Sequence, residues 1–163
     1  RSYKLGQHKL TIRTSDQAGN LSEKTIDFYV IAGFASTIDD INYSDKMGWI
    51  NNTIVKSYLI VNLSLLKSYV EKMGVKQIQR DEKIAALIKQ CMEKYDKNWC
   101  EQKFGIWLTK TSYLLNTLQK VFIVSQLNLI SKQLDSFYKQ KWIKQPGYDM
   151  IKEDLNYLIN SYK

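Results

Sequence analysis

Proline is nearly absent from this sequence, with one in 163 residues, and glycine is sparse at 7. That scarcity argues against a loop-rich or sandwich fold over most of the length, because tight turns are built largely from these two residues. Histidine occurs once, at His8. A nucleophile–histidine pair therefore has one candidate base, and His8 falls in a strand pattern where a paired structural role is expected. There are two cysteines, Cys91 and Cys100, too few for a metal site without other soft ligands nearby. In an oxidising compartment their spacing reads as a local disulfide tying two helix ends; in a reducing one it reads as two free thiols in a core.

Long apolar runs are also missing. Val121-Phe122-Ile123-Val124, like every other apolar block, is far below the roughly 18 residues that span a bilayer. No signal peptide is seen, because Arg1 opens directly into a strand pattern, so the chain is expected to belong to a longer precursor. The net charge is +8, but the excess is +2 over residues 1–35, zero over 36–72, +4 over 73–120 and +2 over 121–163. Nucleic-acid faces cluster their bases along one helix or groove, so a solvated basic surface is expected here and a nucleic-acid partner is not. No glycine-rich phosphate loop, HExxH or calcium loop occurs, so no catalytic residue, metal site or cofactor is expected. The acidic pairs Asp39-Asp40 and Asp81-Glu82 are read as first-turn complements to helix dipoles, and Glu153-Asp154 as a solvated face.

What is present is a duplication. Residues 41–69 and 134–162 lie on each other without a gap, pairing Ile41 with Leu134, Trp49 with Trp142 and Ile50 with Ile143. The match continues through Tyr58/Ile151, Leu65/Leu158, Leu66/Ile159 and Tyr69/Tyr162. Each copy reads as a short helix, a Trp-Ile elbow and a longer amphipathic helix, which marks a modular architecture. The recurrence of Trp49 and Trp142 predicts a shared packing role.

Along the chain, residues 1–33 differ from the rest. Gln7–Thr14 and Thr25–Val30 alternate with period two around Ser15-Asp16-Gln17-Ala18-Gly19-Asn20, which predicts a β-hairpin with Leu10, Ile12, Ile26, Phe28 and Val30 on one buried face. The period then switches to 3.6 at residues 32–35. Ser36 or Thr37 is expected to cap a first helix that stops at Gly48. Asn52 or Thr53 opens a second over 53–72, ended by Gly74. Asp81 opens a third, with Ile84, Leu87, Ile88, Cys91 and Tyr95 on its face. A fourth starts near Cys100, a fifth covers about 121–140, and Pro146 opens the last. The expected fold is mainly α, a bundle of about six helices after an N-terminal hairpin. Its expected divisions are 1–33, a four-helix module over 36–120, and a partial second module over 121–163 that packs on the first and hides Trp142.

Two resemblances add to this. Gly6-x-His8-x-Leu10-x-Ile12 followed by Asp16-x-Ala18-Gly19-Asn20 resembles the last two strands of a bacterial immunoglobulin-like domain. Residues 37–119 resemble a FIMAH domain, a small helical module of secreted multidomain bacterial proteins. The matching pieces are Gly48-Trp49-Ile50, Ile54-x-x-Ser57 and Lys83-Ile84-Ala85-Ala86-Leu87. Residues 125–163 resemble the first half of a second copy, with Phe137-Tyr138 at its paired aromatics. These likenesses imply a secreted or cell-surface setting, in which a Cys91–Cys100 disulfide is the expected state. They imply a non-catalytic accessory, spacer or adhesion region whose partners are other domains of the same precursor, an extracellular glycan, or a host or cell-wall protein. The alternatives are one chain of a processed secreted enzyme or toxin, and a carbohydrate-binding module stacking ligand on Trp99 or Trp107. For Trp99, which borders Cys100, the competing role is an indole covering the disulfide.

Overall fold

The computed structural model describes residues 4–163, apart from the side chains of Val75, Glu101 and residues 103–115. Among the described residues the chain forms an antiparallel hairpin, β1 (Gly6–Ser15) and β2 (Leu21–Val30), and then four helices: α1 (Phe34–Lys46), α2 (Thr53–Met92), α3 (Lys97–Lys139) and α4 (Gln145–Ser161). A mainly α fold behind an N-terminal hairpin agrees with the periodicity. The helix number is four rather than about six, because α2 runs through Gly74 and Asp81 and α3 runs through residues 119–121 without a break.

Half-buried positions explain the continuity of α2. Val70, Met73, Gln77, Arg80, Ile84, Ile88 and Cys91 recur at spacings of three or four, the pattern of a seam between two helices. Packing along that seam outweighs the cost of about 1 kcal/mol for one interior glycine. Leu87 and Tyr95, expected on the same buried face, are exposed. The register in which Cys91 meets Cys100 also brings Tyr69 against Phe122, ring centroids 5.1 Å apart, 22 residues down each helix. From residue 71 to the end of α2 the arm comprises about 33 Å of helix at 1.5 Å per residue.

The core lies at the other end of these long helices. Its buried residues are Phe34 and Ile41 of α1; Val55, Leu59, Leu63 and Leu66 of α2; Ile123, Leu127, Ile130, Leu134 and Phe137 of α3; Ile151, Leu155, Leu158 and Ile159 of α4; and the elbow residues Ile50 and Ile143. Two helix–elbow–helix units build it: α1 with the first part of α2, and the last part of α3 with α4. Phe34, Thr37, Ile41 and Ser44 in the first unit stand 93 residues before Leu127, Ile130, Leu134 and Phe137 in the second, and all eight are buried.

The elbows obey the same offset, bond for bond. Each first helix ends in a Schellman motif. Gly48 N–H donates to Asp45 O (2.9 Å) and Trp49 N–H to Ser44 O (2.8 Å); Lys141 N–H donates to Tyr138 O (2.9 Å) and Trp142 N–H to Phe137 O (3.0 Å). The motif requires a left-handed residue, Gly48 at φ +66° in one elbow and Lys141 at φ +61° in the other. A side chain there costs about 1–2 kcal/mol, only partly offset by the smaller unfolded-state entropy of a non-glycine residue. Lys141→Gly should therefore raise stability by about 0.5–1 kcal/mol, read as an increase in denaturation midpoint at unchanged slope.

The two elbows face each other across an antiparallel bridge between Ile50 and Ile143. Asn51 N–H donates to Trp142 O (2.9 Å) and Lys144 N–H to Trp49 O (2.7 Å). With the 93-residue offset these two bonds exchange into one another, so a pseudo-two-fold axis passes through the bridge.

Beyond the elbow the offset changes. Asn52 caps α2 through Ile54 N–H (2.8 Å), and α2 starts at Thr53, whereas α4 starts at Gln145 with Pro146 in its first turn, one residue nearer its elbow. The buried faces consequently match at an offset of 92: Leu59 with Ile151, Leu63 with Leu155, and Leu66 with Leu158. The gapless pairing Leu65/Leu158 fails, since Leu65 is 65% exposed and Leu158 3%.

Local capping also differs at the front of α1. The helix starts at Phe34, with Gly33 as its cap. Ser36 reaches back from inside the helix, its Oγ accepting from Gly33 N–H (2.8 Å), and the buried Thr37 hydroxyl donates to Gly33 O (2.9 Å). Asp39 and Asp40 thus lie in the second turn, and Asp81-Glu82 lies in the middle of α2.

The hairpin pairs from Gly6 with Val30 to Ser15 with Leu21. Its turn is organised by Asp16, whose Oδ1 accepts from Ala18 N–H (2.9 Å) and Asn20 N–H (2.8 Å). The Asn20 side-chain amide, then the backbone N–H of Asn20, hold the Asp16 carboxyl below its ordinary range, against slight desolvation. Gly19 at φ +85° closes the turn. Leu10, Ile12 and Ile26 share a face with Phe28 and Val30 as predicted, but that face is uncovered, with the first three exposed. Ahead of β1, Leu5 N–H donates to Glu153 Oε1 of α4 (3.2 Å).

Candidate functional site

The chain has two chemically distinctive places, the elbow pair and the arm tip. At the elbows, Trp49 lies edge-on to Tyr43 (5.6 Å between centroids) and Trp142 stacks on Phe137 (5.8 Å). In each case the residue after the left-handed position packs back on its own helix, the apolar contact that accompanies a Schellman ending. Trp142 is nevertheless 37% exposed, so it is not hidden by the packing of the two units. The reason is that Phe137, edge-on to Tyr58 at 5.6 Å, occupies the interior position that Trp142 would otherwise fill.

Beside the elbows, each unit fastens its two helices with a different chemistry. In the first, Lys56 Nζ donates to Asp45 Oδ2 (2.7 Å). The matching positions in the second are Tyr138 and Tyr148, stacked at 4.3 Å. A further polar joint adjoins that stack. Lys152 Nζ donates to Asp135 Oδ1 (2.6 Å) and to Ser131 Oγ (2.8 Å), and the Tyr148 hydroxyl donates to Asp135 Oδ1 (2.9 Å).

Burial pushes the Asp135 carboxyl up, but hydrogen bonds from Lys152 and Tyr148, with the charges of Lys152 and Lys139, outweigh it and hold the group below its ordinary range. Tyr148 is raised, first by burial and then by its bond to Asp135. Sequence reasoning did not single out these residues. Their signal is two i,i+4 pairs, Ser131/Asp135 and Tyr148/Lys152, on facing helices. Every donor here is matched to an acceptor between α3 and α4, so the cluster is a joint between helices.

At the arm tip, Cys91 and Cys100 form a disulfide, with Cα atoms 6.0 Å apart. Cys100 is fully buried. The turn between the helices is closed by Lys94 N–H and Tyr95 N–H donating to Cys91 O, both at 3.0 Å. Asp96 caps α3, its Oδ1 accepting from Asn98 N–H (2.9 Å) and Trp99 N–H (3.3 Å). This geometry sets the Trp99 ring against Tyr95 at 5.0 Å, with Trp99 44% and Tyr95 60% exposed. Trp99 belongs to the first turn of α3. Trp107, the other stacking candidate, lies outside the described side chains.

The remaining candidates are dispersed. His8 Nε2 approaches Lys4 O at 2.7 Å and its ring stacks on Phe28 at 5.5 Å, on the hairpin. Asp154, expected on a solvated face, is fully buried, because it lies three residues after Ile151 and four before Leu158, on the inward face of α4. No group of three or more metal-ligating side chains occurs among the described residues. No helix among them is long and apolar enough to cross a membrane. Comparison with protein-family models, with curated proteins and with solved structures finds no match to this chain.

Proposed function

We propose that this chain is a non-catalytic accessory region of a secreted or surface-attached multidomain bacterial protein, whose bundle carries a stapled arm that offers its tip to an extracellular glycan or protein. The observation that carries the reading is the aromatic pair at that tip. Single exposed apolar side chains are common, but Trp99 and Tyr95 meet at 5.0 Å on a turn fixed by a disulfide and an Asp96 cap. Two rings held in place lose little rotamer entropy on binding and offer flat faces for the C–H face of a sugar or an apolar peptide side chain. The disulfide suits an oxidising compartment, and the resemblance of residues 37–119 to FIMAH domains points the same way.

Retention of the full chain on bacterial cell-wall and glycan supports, with tryptophan fluorescence read on the same ligands, tests this. Trp99→Ala should weaken retention by roughly 30-fold, as truncation of a central aromatic anchor does. Binding unchanged by Trp99→Ala, or no retention of the unaltered chain, overturns the reading.

The uncovered apolar stripe of the hairpin favours one second reading. Its missing neighbours are further strands, supplied by an adjoining domain of the same precursor or, if the parent is a processed enzyme or toxin, by another chain. Mass under native and denaturing conditions separates these: a heteromeric complex supports the processed chain, and a monomer sinks it.

A further inference from the structure

The two helix–elbow–helix units are covalently joined through one connection, the α2–α3 arm, whose turn is only Glu93-Lys94-Tyr95-Asp96. We propose that two copies of this chain can exchange these units, and that the Cys91–Cys100 disulfide locks the chain in its closed, monomeric form. In the exchanged form the first unit of each copy pairs with the second unit of the other.

The contact between units does not depend on their being in one chain. Its centre is the Ile50–Ile143 bridge with its two interchangeable bonds, Asn51 to Trp142 and Lys144 to Trp49. Such self-complementary pairing is the pattern of a two-fold interface between separate subunits.

The turn offers little resistance to opening. It is four residues long and contains no proline and no glycine, and opening it would carry α3 on beyond the end of α2 instead of back along it. Nine residues of unbroken helix would turn Cys91 and Cys100 about 180° apart around the axis, so the opened turn keeps a break within residues 93–96, and two opened arms lie antiparallel with Cys91 of each copy facing Cys100 of the other. The register that sets Cys91 opposite Cys100 and Tyr69 opposite Phe122 is symmetric about the turn, so the same residues meet whether the facing helix is its own or the partner copy's.

The disulfide alone forbids this. A turn opened outward separates the two Cα atoms of one chain by about 13.5 Å even at the helical rise of 1.5 Å per residue, whereas the bridge holds them at 6.0 Å and disulfides reach only about 6.8 Å. Reduction by a dithiol, which gives up two electrons and two protons and becomes a cyclic disulfide while the bridge becomes two thiols, removes the lock. On re-oxidation of an exchanged pair, Cys91 of each copy would bond Cys100 of the other.

The full chain, oxidised or reduced with dithiothreitol, is unfolded in guanidinium and refolded at low and high protein concentration, and its mass is read by light scattering. The oxidised chain should stay at 19.1 kDa throughout. The reduced chain should double that mass at high concentration, and re-oxidation should make the dimer survive a non-reducing denaturing gel. Topology is read by Ile50→Cys with Ile143→Cys in a Cys91→Ser, Cys100→Ser background, since side chains approach closely at a non-hydrogen-bonded bridge pair. A cross-link joining two chains supports exchange. A reduced chain that remains monomeric at high concentration overturns the proposal, as does a dimer whose cross-links close within each chain. If the cysteine variant fails to fold, the re-oxidised unaltered chain decides: a monomeric band from the dimer fraction refutes exchange.

Discussion

Leu158→Ala should lower stability by about 3 kcal/mol, while Leu65→Ala should change it by less than about 0.5 kcal/mol. The two positions are partners in the gapless sequence match, so a symmetric reading of the repeat predicts equal losses. The inequality comes from a one-residue slip. The elbows superpose at an offset of 93 through every bond of the Schellman endings and the Ile50–Ile143 bridge. Because α4 begins at Gln145 and α2 at Thr53, the helices that follow are displaced by one residue, about 100° around the axis. That displacement carries Leu65 to the surface and makes Leu66 the partner of Leu158; Leu66→Ala should accordingly cost about as much as Leu158→Ala. Urea denaturation of the three variants decides the matter. Losses at Leu65 and Leu158 within about 1 kcal/mol of each other would refute the slip.

The same slip shows which parts of the fold are legible in the amino-acid order. Local chemistry reads well: the Asp16–Asn20 turn, the stop at Gly48, the cap at Asn52 and the first-turn Pro146 are each decided by a few neighbouring side chains. Long-range packing reads poorly. Gly74 looks like a helix end and Asp81 like a helix start, yet the seam from Val70 to Cys91 carries α2 through both, and no local preference reveals where that seam finds its partner helix. The disulfide is legible as a spacing, but its place at the tip of an arm depends on the fusion of four expected helices into two. At the candidate site Trp99 stands out beside Cys100, whereas Tyr95, placed by periodicity on a buried helix face, lies in the turn because α2 ends at Met92. Trp142, expected to be hidden where the second module packs on the first, is instead partly exposed. Duplication conserves the elbow geometry but not the neighbour, for where the second unit has Phe137 the first has Ser44.

That exchange of Ser44 for Phe137 sets up the largest expected effect, at Gly147. A Cβ on Gly147 would stand 3.0 Å from Trp49 Cβ, 3.4 Å from Ser44 Cβ and 3.5 Å from Ile143 Cγ2. The two nearest atoms are Cβ carbons, fixed by the backbone, so the crowding is relieved only by moving α4 away from α1. Ala gains about 1 kcal/mol in helix propensity but forces a contact shorter than van der Waals packing accepts, and overpacking of this kind costs about 1–3 kcal/mol. Gly147→Ala should therefore lose about 1 kcal/mol net, and Gly147→Leu at least about 3 kcal/mol. Gly74, inside α2, supplies the opposite sign. Nothing lies within 4 Å of a Cβ built there, and its φ is not in the left-handed region, so Gly74→Ala should raise stability by about 0.5–1 kcal/mol from propensity alone. Thermal denaturation of the three variants reads both signs at once. If Gly147→Ala stabilised the chain as much as Gly74→Ala, the close approach of α4 to the first elbow would be refuted. The small pair Ser44 and Gly147 would then no longer account for how the two elbows come near enough to share their bridge.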